Sequence, residues 1–87
     1  MKIVIVGSLN TEMIFSTPVL PLAGQSVPGT SFMMTSGGRG ANQALAAVRA
    51  GAEVHFAGRT GTDFFGDFMI RHLGEHGIDA AHILRDP

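Results

Sequence analysis

Ile3-Val4-Ile5-Val6 is an unbroken β-branched run near the start of the chain. A strand with one wet face would alternate, so continuity predicts a strand covered on both faces, as at the centre of a parallel sheet. Gly7-Ser8 ends it. Residues 13–17 predict a second strand. Pro18, Pro21, Gly24, Pro28 and Gly29 then punctuate a loop of about a dozen residues. Residues 30–35 predict a third strand, with Phe32 and Met34 on one face and Met33 on the other. The period then changes. Ala41, Ala44, Leu45 and Val48 recur at i, i+3, i+4 and i+7, which predicts a helix over 40–50 that lies close to a sheet through its small residues. Arg49 suits the last turn and Gly51 the position beyond it. A strand over 54–57, a loop over 58–62, an N-cap at Asp63 and a helix to about His76 follow, with Phe65, Phe68, Met69 and Leu73 inward. Gly77 ends that helix, and residues 81–85 begin another strand. Strand, helix and parallel strand imply a right-handed crossover and an α/β fold.

Length and composition narrow the functions. A chain of 87 residues allows one small domain, close to the size at which a single core is only just sufficient. Six basic and seven acidic residues are scattered, with no Trp or Tyr for base stacking, so no nucleic-acid surface is expected. No cysteine is present, which excludes a disulfide framework and thiol catalysis. No apolar run approaches the ~20 residues of a membrane span and no signal core opens the chain, so no membrane partner and a cytoplasmic location are expected.

The densest chemistry lies in Ser36-Gly37-Gly38-Arg39-Gly40-Ala41-Asn42-Gln43-Ala44. Glycines allow close approach of a ligand to backbone, and a helix that starts directly after them has unpaired N–H groups at its first turn. Together they form a polar cradle for an anion or a hydroxyl-rich ligand; the plainer reading is a tight turn into a helix. Two nucleotide motifs fail here. No Gly-x-x-x-x-Gly-Lys-Ser/Thr string exists, and a Gly-x-Gly-x-x-Gly reading from Gly38 meets Gln43 at its third glycine. Beyond the carboxyl end of the first strand lies Leu9-Asn10-Thr11-Glu12, where α/β folds place ligands. In extended backbone Asn10 and Glu12 point the same way. An amide beside a carboxylate suits neighbouring hydroxyls, although a polar turn would look the same. His72-Leu73-Gly74-Glu75-His76 matches the inverted zinc-protease signature. It sits in a last helical turn with no further acidic ligand in place, so no metal site is expected. His55 and His82 read as ordinary strand residues.

The glycine stretch also carries a family resemblance. Gly37-Gly38-Arg39-Gly40-Ala41-Asn42-Gln43-Ala44, with Gly51 and Gly58 after it, resembles the N-terminal signature of ribokinase-like (PfkB-type) carbohydrate kinases, nearest the ribokinase form. Gly7-Ser8-Leu9-Asn10, Pro21-x-x-Gly24 and Gly58-x-x-Gly61-x-Asp63-x-x-Gly66 extend it over essentially the whole chain. The resemblance implies a ribokinase-like (Rossmann-like) α/β sandwich with a small β lid. Residues 1–87 would be the N-terminal part of a single kinase domain, with lid strands at about 12–36. It implies transfer of the ATP γ-phosphoryl to a sugar's primary hydroxyl, with Mg and a monovalent cation, and a homodimer through the lid. The substrate-binding residues it implies are Asn10, Thr11, Glu12, Gly38, Arg39, Gly40, Ala41 and Asn42. Glu12 stands where the family usually has Asp, and Arg39 where it usually has Lys. The family's later Gly-Ala-Gly-Asp segment, which carries the base, is absent from these residues; Phe65-Gly66-Asp67 is not it. The chain is therefore expected to be a fragment with no catalytic residue, to bind neither ATP nor metal alone, and to leave strand edges and an apolar face uncovered. A short non-catalytic interaction module reusing the half-domain is the alternative.

Overall fold

The computed structural model describes residues 1–87. Its elements run β1 (Lys2–Val6), β2 (Asn10–Ser16), β3 (Ser31–Gly37), α1 (Arg39–Arg49), β4 (Glu53–Gly61), α2 (Phe64–Glu75) and β5 (Asp79–Asp86). Strands β1, β4 and β5 form a parallel sheet in the order β1-β4-β5, while β2 and β3 form a separate antiparallel hairpin. The α/β class and the excursion of two strands out of the parallel sheet agree with the sequence expectation.

The sheet grows in one direction, from β1 to β4 to β5. Two right-handed crossovers in the same direction put both helices on the same face. That face holds the core. Ile5, Ala41, Ala44, Val54, Phe56, Met69, Leu73, Ile78 and Ile83 are buried together. Phe56 is wholly buried, and burying a side chain of that size contributes about 1.5–3 kcal/mol. The opposite face is bare: Val4 is 62% and Val6 79% exposed, and Leu84 is exposed as well. This corrects the expectation that both faces of β1 are covered. The run of β-branched residues suits a two-sided burial that these seven elements supply on one side only.

Three boundaries also differ. Strand β2 begins at Asn10 rather than at 13, because Asn10, Thr11 and Glu12 pair with Gly37, Ser36 and Thr35. Strand β4 runs through Gly61, across the expected loop, because Gly58 to Gly61 pair with Ile83 to Asp86 of β5. There Arg59 Nη1 meets Asp86 Oδ1 at 2.5 Å, Arg85 Nε donates to the Gly61 carbonyl at 2.8 Å, and Arg85 Nη2 meets Asp67 Oδ1 at 2.5 Å. Strand β5 accordingly starts at Asp79. On α2, Met69 and Leu73 are buried as expected, but Phe65 is 39% exposed and turns toward the hairpin side. The Asp63 cap forms as expected, its Oδ1 accepting from the Gly66 N–H at 2.9 Å.

Candidate functional site

The site is built where β1 hands over to the hairpin and the hairpin to α1. Gly38 carries φ 90°, ψ 150°, a conformation that a side chain would strain, and it turns β3 directly into α1. Gly40 then lies against the Gly7-Ser8 turn so closely that a Cβ there would stand 2.6 Å from the Ser8 carbonyl oxygen and 2.9 Å from its nitrogen. The Ala41 N–H donates to that Ser8 carbonyl at 3.1 Å, and the Asn42 N–H to the Gly38 carbonyl at 3.0 Å. The first turn of α1 is therefore partly committed inside the protein, where the sequence suggested free donors. Gly40 and Ala41 are buried and serve the junction, whereas Arg39 and Asn42 lie exposed at the helix start. None of the ion pairs includes Arg39.

Asn10 and Glu12 sit on one face of β2, opposite Gly37 and Thr35 of β3. The Asn10 amide nitrogen would be 3.3 Å from a Cβ at Gly38. The Glu12 carboxylate folds over Gly37 so tightly that any side chain there would collide with it. An acceptor-only carboxylate, an amide that donates and accepts, and side-chain-free backbone thus converge. Both polar side chains are exposed. Thr11 points the other way, its hydroxyl donating to the Phe65 carbonyl at 3.4 Å. It lines a cleft of about 400 Å³ between the hairpin and α2 that Asn10 also borders, with Leu9, Met13, Asp63 and Phe65 among the other walls.

The structure thus brings Asn10, Glu12 and Gly38 together and turns Thr11 away, while Gly40 and Ala41 support the junction from inside. Gly37 and Thr35 complete the arrangement. Strand pairing alone identifies Thr35, which nothing in the linear motif marks. Ser36, paired with Thr11, is buried and its hydroxyl has no hydrogen-bond partner. No three His, Cys, Asp or Glu side chains gather in position to hold a metal. No helix is long and apolar enough to cross a membrane.

Comparison with known proteins gives a consistent picture. The family model described as pfkB family carbohydrate kinase matches residues 1–87. The chain is 40% identical over 77 residues to the ribokinase of Bacillus subtilis (strain 168), covering 88% of this chain and 26% of that protein. It superposes on the ribokinase of Giardia lamblia with a TM-score of 0.80 at 36% identity, covering 98% of this chain and 26% of the other. It superposes on the ribokinase of Arabidopsis thaliana complexed with ribose and ATP with a TM-score of 0.76 at 28% identity, covering 94% and 27%. The chain spans about a quarter of the length of the curated relatives it matches.

Proposed function

The chain belongs to the pfkB family of carbohydrate kinases, and from that membership we propose that it is the sugar-side part of an ATP-dependent sugar kinase in which Asn10 and Glu12 hold neighbouring hydroxyls of the sugar. One observation carries the reading: Asn10 and Glu12 share a face of β2 directly against the Gly37-Gly38 backbone. A diol needs both donors and acceptors within reach. Glu12 accepts from two hydroxyls, Asn10 completes the set, and the glycines admit the ring. Arg39 and Asn42, exposed at the start of α1, belong to the rim of the same site, and the β2–β3 hairpin is its lid. The apolar outer residues of that hairpin, Ile14 and Met33 among them, suit a homodimer contact.

These donors do not fit a nucleotide polyphosphate. The exposed carboxylate of Glu12 would repel it. ATP supplies the transferable phosphoryl group in the proposed full reaction. The residues here bind and orient the acceptor hydroxyl, and the base and phosphoryl-stabilising donors belong to sequence outside these 87 residues. The 87-residue chain alone is expected to stay at background in coupled ATP-consumption assays with ribose and other sugars; turnover dependent on it would overturn the assignment of the base.

In a kinase that carries this segment, Glu12→Ala removes a hydrogen bond to a charged group, worth ~1.5–3 kcal/mol, and sugar use falls roughly 10- to 150-fold with ATP affinity unchanged. Glu12→Asp restores the usual acid with a shorter reach and, where Glu12 is matched to a different sugar, shifts preference toward ribose. Sugar kinetics indifferent to both substitutions would refute the site.

A further inference from the structure

One side of α2, from Phe68 at the edge of the core to the half-buried His72 and His76, carries a run of rings that the sugar site does not use. Phe68, His72 and His76 follow at intervals of four; Phe68 and His72 stack with ring centroids 5.3 Å apart, and the His72 and His76 rings are tilted by 55° with centroids 4.5 Å apart. His76 Nδ1 lies 2.8 Å from the His72 carbonyl oxygen. A carbonyl only accepts, so this nitrogen carries a proton, and in the neutral ring Nε2 is the one with the lone pair. Metal-ligating histidines are oriented by a hydrogen bond of this kind. Both rings are only half-buried and open to solvent.

We propose that His72 and His76 form a two-point chelate for a late divalent transition ion, Ni²⁺, Cu²⁺ or Zn²⁺, with water in the remaining positions. Histidines one turn apart on one helix face can share an ion. With metal–nitrogen bonds of about 2 Å, two cis imidazoles stand with ring centres roughly 4–5 Å apart, which the 4.5 Å separation meets. Imidazole selects these ions, whereas Mg²⁺ and Ca²⁺ require oxygen ligands. Because no third ligating side chain joins the pair, this is an open surface site and not the hydrolytic centre that His72-Leu73-Gly74-Glu75-His76 superficially resembles.

The test is calorimetric titration of the 87-residue chain, prepared without added histidines, with Ni²⁺ near neutral pH. One ion per chain is expected. His72→Gln and His76→Gln each weaken it by about tenfold or more, His55→Gln and His82→Gln leave it unchanged, and Mg²⁺ does not bind. Affinity unchanged in either helix variant, or lost in the strand variants, overturns the proposal. Should the helix variants unfold by circular dichroism, imidazole ¹⁵N spectra of the parent chain with Zn²⁺ decide. Shifts at Nε2 of both His72 and His76, with His76 Nδ1 still protonated, support the chelate, and shifts confined to other histidines refute it.

Discussion

The α/β body and the hairpin are both rich in apolar residues and use them in opposite ways. The nine buried apolar residues all lie in the body, in β1, α1, β4, α2, β5 and the turn at Ile78. The hairpin contributes none of them, and its buried residues are Ser36 and Gly37. Its large side chains, Met13, Ile14, Phe15, Phe32 and Met33, are all exposed, with Phe15 and Phe32 resting on each other at 4.8 Å between ring centroids. The hairpin is held by its own ladder from Asn10↔Gly37 to Ser16↔Ser31 and by limited packing on α2. The comparison separates two jobs. Stability comes from the covered face of the body, and the candidate ligand groups come from the base of the hairpin, where little burial constrains them.

The largest test of that division is a pair of aromatic truncations. Phe56→Ala empties a fully buried position and is expected to cost about 3–5 kcal/mol. Phe15→Ala on the 62%-exposed hairpin position is expected to cost less than about 1 kcal/mol. With no Trp or Tyr, urea unfolding is followed by circular dichroism. Equal losses would mean that the hairpin belongs to the core.

Two glycines sharpen the comparison at the junction. Gly40→Ala meets the backbone of Ser8, which cannot swing aside, and is expected to destabilise by about 1–3 kcal/mol in spite of alanine's better helix propensity. Gly37→Ala meets first the side chain of Glu12, which can swing aside. It is expected to leave the melt within about 1 kcal/mol of the parent while displacing the carboxylate, so that in a complete kinase sugar use falls as it does for Glu12→Ala. A Gly37→Ala protein that keeps its sugar kinetics would separate Glu12 from the site. The smallest effect is reserved for Ser36→Ala. Its hydroxyl is buried without a partner, so removal is expected to be neutral or to stabilise by up to about 1 kcal/mol. A clear loss in the same melt would show that Ser36 makes a bond that holds the hairpin to the body.

Much of this was legible in the residues. Apolar runs and helical spacing marked every strand and helix, including the hairpin strands, which face no core. Asp63 and Gly77 marked the start and end of α2 through local chemistry that needs no tertiary partner. The glycine stretch and Asn10-x-Glu12 marked the candidate site for the same reason: a tight turn and an extended polar pair are written over a few adjacent positions. Less legible was the extension of β4 through Gly58 to Gly61, whose residues have weak strand preference and are held by the ladder with β5. Phe65 fitted the helical period and still turned outward, because the start of α2 faces the cleft beside the hairpin.

By itself the sequence determined the element types, the parallel α/β class with its hairpin excursion, and the family signature, all of which rest on short-range spacing. Only the tertiary structure decided which face of β1 is covered, since that depends on the direction in which β4 and β5 add to the sheet. It alone decided that Ala41's N–H is committed to Ser8, that Glu12 lies over Gly37 while Thr11 turns to Phe65, and that His72 and His76 stand ring to ring. These are contacts between side chains and backbone brought together by pairing and packing, and no local propensity encodes the partner a residue meets across a sheet.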